Sequence, residues 1–514
     1  MVHHEAMRAI AWTQWVRVAG AVILLGAVAF PVTARADDKT GTDKFLGGSS
    51  FAVQSGTTFY AWANAGDTVG VDFVKADIDE DVKVDGVLDV VDPAGEQRAE
   101  CVIEHDGKAE PCSFGDLSSS TAGIWRIDYR SAGDAKAIPA HWNITVSAEG
   151  ENVAGRVWTD RYNVYQDPGA GARIDLYYLS QLGFQYKAVY RGYNGGWSSF
   201  EAGTAGLTHA GTCEPINHSP GGMKGDFDTD LAACGAYKVF FGEPAADLPE
   251  SGKIAGGEAT WLLTAVKEPA LGAVEYRPAE PHSVAGDLLV TVTDHQGVIT
   301  VELDLNGNGK FGDEADRSIS VGVTEVGTGQ IAVPWDGLTG EEKKVRNGRN
   351  FDVRATIDRV GTIYFVNSDV EGRSGGIEVE YLNGPDAGER TLYWDDAPDP
   401  TRENAADQSG KTDSLGGARS WDFGANSWGS DRRIQEWAFA GVDITTDTAS
   451  FVTPPREPND SAEVVAGAWW HGPFAWVAGI GVFTSIVGLG LLLYLSRRSS
   501  DRDVDDKSQL LGLP

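Results

Sequence analysis

Apolar residues in this chain recur at every second position. Trp125, Ile127 and Tyr129 alternate with Arg126 and Asp128, and Ile299, Val301 and Leu303 alternate with Thr300 and Glu302. A period of two is that of a strand with one buried face. Similar short runs cover residues 68–73, 175–179, 186–190, 288–293, 318–321, 330–335 and 351–356, separated by turns rich in Gly, Pro, Asn and Asp. No long stretch places apolar residues at helical spacing. The pattern therefore predicts a mainly β fold of tandem β-sandwich domains.

Two stretches break the alternation, one at each end. Residues 18–30 are a run of 13 apolar or small residues preceded by Arg8 and Arg17 and followed by Pro31 and Ala34-Arg35-Ala36. A charged start, a short apolar run and a small-x-small site make residues 1–36 a signal peptide, with Asp37 the mature start. Thirteen residues are too few for a bilayer core of about 30 Å, which needs about 20 in a helix. Residues 474–495, by contrast, are 22 without a charge. Trp469, Trp470 and Trp476 lie near one end and Tyr494 near the other, and Arg497, Arg498 and Arg502 follow. Interfacial aromatics and a trailing cationic cluster predict one C-terminal transmembrane helix whose tail, 496–514, is cytoplasmic. The expected localisation is the cell membrane, single-pass, with the N-terminal ectodomain outside.

Turn signals divide the outer portion into four units and a stalk. In the first, 51–147, Ala65-Gly66-Asp67 turns into the strand 68–73, Val90-Val91 runs into Asp92-Pro93-Ala94-Gly95, and 124–129 and 142–146 close the unit. This order resembles the small jelly-roll sandwich appended to secreted bacterial peptidases. The second unit, 153–269, is expected to hold strands at 175–179 and 186–190. Its alternating Asp226, Asp228 and Asp230 read as a solvated loop, because Phe227 interrupts them and no Gly follows. The third, 283–383, carries Trp335-Asp336-Gly337 after an alternating strand, then Asn347-Gly348 before another. It resembles the Ig-like domain of the flagellar hook-cap scaffold and its relatives in bacterial surface proteins. That resemblance implies packing and presentation rather than catalysis, with Trp335 in a core or at a corner. The fourth, 391–444, is rich in aromatics, among them Tyr393, Trp394, Trp421, Phe423, Trp428, Trp437 and Phe439. Residues 445–473 read as a stalk stiffened by Pro454, Pro455 and Pro458.

Charge removes one class of partner. The chain has 75 acidic and 42 basic residues, a formal charge of −33. A phosphate backbone needs a basic surface, so nucleic acid is excluded as a partner. Cation binding and simple solubility remain compatible with it. The four cysteines suit an exported protein. Of three possible connectivities, local pairing of Cys101 with Cys112 and Cys213 with Cys234 is expected, each closing a small loop. His209 and His218 flank Cys213 and leave a zinc site with Cys234 as the alternative.

One segment carries specific chemistry. Residues 304–316 read Asp-Leu-Asn-Gly-Asn-Gly-Lys-Phe-Gly-Asp-Glu-Ala-Asp. Oxygen-bearing side chains at the first, third and fifth places, with Gly sixth, match the start of a calcium loop. Asp304, Asn306 and Asn308 would supply three hard oxygens and the Lys310 carbonyl a fourth. Ala315 stands where an EF-hand has its bidentate Glu, so Asp313, Glu314 or Asp316 must substitute. The loop joins two alternating strands, and 13 residues is long for a hairpin connection. Calcium would neutralise its acids, and Phe311 would pin it to the core.

Catalytic motifs such as GxSxG, HExxH or a P-loop do not occur. Adjacent carboxylates such as Asp395-Asp396 are expected by chance in so acidic a chain. The reading is a membrane-anchored extracellular binding or scaffold protein of the cell envelope, stabilised by Ca2+ and without catalysis, its partner a surface protein or a glycan. The alternatives are a surface-anchored carbohydrate-active hydrolase, with the aromatic unit lining a groove, and an envelope assembly or sensor protein.

Overall fold

Alternation becomes burial in the strand Thr68–Lys75, where Val69, Val71 and Phe73 are fully covered and the residues between them are not. The same holds along Gly123–Ser131, where Trp125, Ile127 and Tyr129 point inward. These strands belong to two antiparallel sheets, of eleven and ten strands among the described residues. The computed structural model describes residues 51–78, 82–106, 110–166, 171–396, 409–424 and 426–457. The expected signal peptide, transmembrane span and tail lie outside these residues. Among those described, no helix is long and apolar enough to cross a membrane, and the fold is mainly β.

The two sheets face each other across an aromatic core. Phe59 of the ten-stranded sheet lies 4.3 Å from Trp142 and 6.2 Å from Phe73 of the eleven-stranded one, centroid to centroid. Neither sheet stops at residue 150. Phe51–Val53 pairs with Ala140–Ala148 on one side and Tyr162–Gln166 on the other. In the opposite layer Thr57–Ala63 lies between Gly123–Ser131 and Val157–Thr159. The stretches 51–147 and 153–269 are thus built into one continuous large sandwich.

The stretch 283–383 contributes to two bodies. Gly286–Thr293 pairs with Ala270–Pro278 and Thr328–Trp335, forming one layer of a small sandwich. Its other layer contains Arg317–Val323, Gly297–Asp304 and Asn350–Val360. Trp335 is buried in the core, 5.2 Å from Phe351 and 5.9 Å from Tyr276. After Gly361 the chain leaves this body. Ile363–Ser368 enters the eleven-stranded sheet between Trp197–Gly203 and Arg433–Ala438, and Ile377–Tyr381 pairs with Gln185–Asn194 in the other layer. The chain then returns, since Gly441–Thr445 and Ala449–Val452 both pair with Asn350–Val360. The first residues of the expected stalk are therefore a strand of the small sandwich.

Gly361 marks the crossover, and a side chain there is excluded twice over. Its φ is +62°, and a Cβ would lie 2.6 Å from the Phe184 ring. Tyr186 donates to the Gly361 carbonyl at 2.6 Å and Tyr237 to the Thr362 carbonyl at 3.1 Å, fixing the bend from the large sandwich.

Both cysteine pairs are disulfides of the expected local connectivity, with Cα atoms 5.9 Å apart for Cys101–Cys112 and 5.4 Å for Cys213–Cys234. The first has a role that its short loop does not suggest. Cys101 lies on the last strand of the ten-stranded sheet and Cys112 on the last strand of the eleven-stranded one. The bond ties the two layers together at their open edge, where backbone groups otherwise invite further pairing.

Candidate calcium loop and a pocket at the sandwich junction

Residues 304–316 connect Gly297–Asp304 to Arg317–Val323, whose register closes at Leu303 opposite Arg317. Asp304 is fully buried at the base of the loop. Its carboxylate accepts the N–H groups of Gly307 at 2.7 Å, Asn308 at 3.3 Å and Gly309 at 2.7 Å. Gly309 adopts the positive φ that its place in the motif demands, +75°. Asn306 and Asn308 send their amide N–H groups to one oxygen of Asp313, at 2.7 and 2.8 Å. Their own oxygens accept backbone N–H groups of Asn308 and Lys310, at 2.9 and 2.8 Å. Asp316, also buried, accepts the N–H of Leu305 at 3.1 Å and that of Asp313 at 3.3 Å. Glu314 and Lys310 are exposed.

The structure thus brings Asp304, Asn306, Asn308, Asp313 and Asp316 into one hydrogen-bonded turn. The Asn306 amide first, with those of Asn308 and the Ala315 N–H, holds the exposed Asp313 carboxyl below its ordinary range. Amide donors meet the carboxylates of Asp304, Asp313 and Asp316, so a long polar loop is ordered by its own amides. Among the described residues no group of three or more His, Cys, Asp or Glu converges as a metal site. The hard oxygens of Asp304, Asn306, Asn308 and Asp313 are of the type calcium takes, although Asn306 and Asn308 here present N–H groups to Asp313. Phe311 departs from expectation. It is half-buried on the outer face of the sheet, with the Arg354 guanidinium 4.4 Å above its ring, and not in the core.

Neither the alternative zinc site nor the alternating aspartates of the second unit form a cation site among the described residues. The Cys213–Cys234 bond removes the thiolates a zinc site would need. His218 instead meets the Ile216 carbonyl at 2.7 Å, and His209 is exposed. Asp228 accepts the N–H groups of Thr229 and Asp230, and Asp230 caps the short turn that follows by accepting from Ala232. These acids shape their loop.

The aromatic-rich segment holds a buried ionic tetrad. Glu436 points into the large sandwich and is wholly covered. Arg373 binds it with two N–H groups, one at 3.0 Å, and Arg419 with one at 2.5 Å. Arg419 also reaches Asp396 at 2.5 Å. Burial alone would raise the Glu436 carboxyl, but the two guanidinium groups hold it below its ordinary range. Each buried ion here has an opposite charge in contact, the condition under which buried ions are tolerated. The Trp421 ring lies 4.5 Å from Arg373 and the Trp428 ring 5.3 Å from Arg419. Asp396 is therefore committed to packing.

A cavity of about 210 Å3 opens where the two sandwiches meet. From the small sandwich come Thr300 and Ser320, whose hydroxyls lie 3.2 Å apart, together with Asp358 and Arg359. From the large one come Glu214, Asn217 and Tyr364. Tyr364 donates to the Asn217 side-chain oxygen at 2.7 Å, and Arg359 donates to the Tyr364 oxygen at 3.3 Å. Burial pushes the Tyr364 phenol up to about 12, against the pull of Arg359, so it stays a donor. The second disulfide helps hold the junction. A Cβ at Gly322 of the small sandwich would lie 2.7 Å from that of Cys213, so the loop carrying Cys213 rests on bare backbone.

Tyr364 also begins a row. Strand register sets Tyr364 opposite Trp437, Trp437 opposite Tyr393, and Tyr393 opposite Lys411 across four neighbouring strands. Phe439 stacks on Tyr393 at 4.9 Å, and the Arg359 guanidinium lies 5.8 Å from the Trp437 ring and 5.6 Å from that of Phe439. The sequence groups Tyr393, Trp437 and Phe439 as an aromatic unit, lining a groove in the hydrolase alternative, but does not place them beside this cavity. The cavity itself draws on segments 150 residues apart, and no local spacing signals it. No protein-family model and no curated protein matches this chain.

Proposed function

We propose that this chain is a non-catalytic binding or scaffold protein of the cell envelope. In this reading it is exported through residues 1–36 and held in the membrane by 474–495, with its β body outside and 496–514 in the cytoplasm. The observation that carries the reading is the pair of disulfides. They take up all four cysteines, and such bonds persist in oxidising compartments outside the cytoplasm. The continuous large sandwich with a second sandwich joined to it through two strand crossings suits the presentation of surfaces. The buried carboxylates of the aromatic segment serve packing. The partner is a surface protein or a glycan. Calcium at residues 304–316 is part of the proposal, with Asp304, Asn306, Asn308 and Asp313 as donors and the Lys310 carbonyl, Glu314 and Asp316 at hand.

A surface-anchored hydrolase is the second reading, because the carboxylates of Glu214 and Asp358 border one cavity. The test compares the full chain with one ending at residue 472. The shortened chain should appear soluble in the medium and bind members of a glycan or protein array while leaving them intact. Sedimentation of the shortened chain with membranes would overturn the topology, and shortening of a bound glycan would favour the hydrolase.

A further inference from the structure

We infer that the cavity at the sandwich junction and the aromatic row leading from it bind a short saccharide, one sugar in the cavity and its neighbours along Tyr393 and Phe439. The inference rests on the binding role proposed above and names the chemistry of the ligand. Four observations carry it.

The cavity wall mixes donors and acceptors. Thr300 and Ser320 offer hydroxyls, Asn217 an amide, Arg359 N–H groups, and Glu214 and Asp358 carboxylates. Sugar hydroxyls both donate and accept, so they can use all of these. An anionic ligand would meet two carboxylates against one guanidinium, and an apolar ligand would strip polar groups of water without replacing it. Size gives a second constraint. About 210 Å3 falls below the roughly 300–1,000 Å3 of drug-sized sites, which suits a single monosaccharide.

The row beside the cavity is the third observation. Tyr364 is both cavity wall and first member of the cross-strand series Tyr364, Trp437, Tyr393 and Lys411. Tyr393 lies two strand spacings of about 4.8 Å from Tyr364, so a chain of sugars that begins in the cavity reaches it within about 10 Å. The inner members of the series, Tyr364 and Trp437, are buried, and the surface open to a ligand is the outer part, with Tyr393 and Phe439 half-buried and Lys411 exposed. Flat rings accept the C–H faces of pyranoses, and Lys411, 5.9 Å from the Tyr393 ring, adds a donor at the far end. Fourth, the site is held open by independent constraints: the clamped bend at Gly361 on one side and the disulfide loop seated on Gly322 on the other. A preformed cavity avoids an ordering cost on binding.

The test titrates the full chain, purified in detergent, with neutral trisaccharides: maltotriose, cellotriose, mannotriose and chitotriose, each beside its monosaccharide. Tryptophan emission and saturation-transfer NMR report binding. At least one trisaccharide should bind, about tenfold or more tighter than its monomer. Tyr393→Leu should weaken the trisaccharide about tenfold, the loss of one stacking contact, while leaving the monomer nearly unchanged. Ser320→Phe, at the exposed rim, should fill the cavity and abolish both. Thermal unfolding of each variant separates loss of ligand from loss of fold. No binding by any trisaccharide below 10 mM, or binding indifferent to both substitutions, overturns the inference. Capture of a protein partner without any saccharide would also remove the site, yet leave the non-catalytic binding role standing. Cleavage of a trisaccharide that requires Tyr393 and an open cavity would keep the site and remove that role.

Discussion

His295 sits at the start of a tight turn in the small sandwich, 2 % exposed, with its Nε2 3.2 Å from the Val298 carbonyl. Burial pushes its ring down to about 4, only partly offset by that carbonyl. The unfolded chain protonates this histidine near 6.5, so acid stabilises the unfolded state first. Its contribution is complete above pH 6.5 and is lost progressively as pH falls toward 4, amounting to about 3 kcal/mol. Equilibrium unfolding at pH 7 and pH 4.5 should show this loss, and His295→Gln should remove most of the difference. An unchanged difference in the variant would place the acid sensitivity elsewhere. Gly361 allows a second test at the same scale. Gly361→Ala combines a left-handed backbone with a methyl thrust at Phe184, and should cost about 2–4 kcal/mol. Denaturant titration measures it, and a cost below half a kcal/mol would mean the bend relaxes freely.

At the scale of elements, alternation located strands well where one face is buried and the other wet. The runs near 68–73, 124–129, 299–303 and 351–356 all became strands close to their expected limits. It failed where a strand carries charge inward. Arg433–Ala438 holds Gln435 and Glu436, both fully covered, because Arg373 and Arg419 arrive from elsewhere to satisfy Glu436. A tetrad assembled from four segments leaves no periodic trace in any one of them. The 304–316 loop was legible as a motif, since glycine and asparagine spacing is local; its hydrogen bonds to Asp313 were not. Calcium should raise the unfolding temperature of the full chain, with affinity on the order of 0.1–1 mM. At one hundred times the dissociation constant the gain is about 2.7 kcal/mol. Asp304→Ala should abolish that gain and also cost about 0.5–2 kcal/mol without calcium, because three backbone N–H groups lose their acceptor. Asp336→Ala, whose carboxylate instead meets Arg317 and the Leu338 N–H, should leave the calcium response intact. Equal midpoints with calcium and with chelator would leave the amide-ordered loop as the whole account.

For the whole molecule, the boundaries between bodies were the least legible feature. A turn-rich sequence suggests beads on a string, whereas Ile363–Ser368 and Gly441–Thr445 pass the chain between two sandwiches. Strand partners so far apart in sequence are chosen by complementary faces, which local pattern does not encode. That wiring also sets a schedule for folding. Trp197–Gly203 waits for Ile363–Ser368, more than 150 residues later, and until those residues emerge its outer edge is an open template for any passing strand. The nascent chain therefore carries an adhesive edge while the rest is made, and its risk is a matter of time rather than of final stability. A chain ending at residue 358 should never cover that edge and should aggregate during refolding, whereas one ending at residue 457 should refold to a soluble form. Light scattering during dilution from denaturant distinguishes them, and equal solubility would show that another segment guards the edge in the interval.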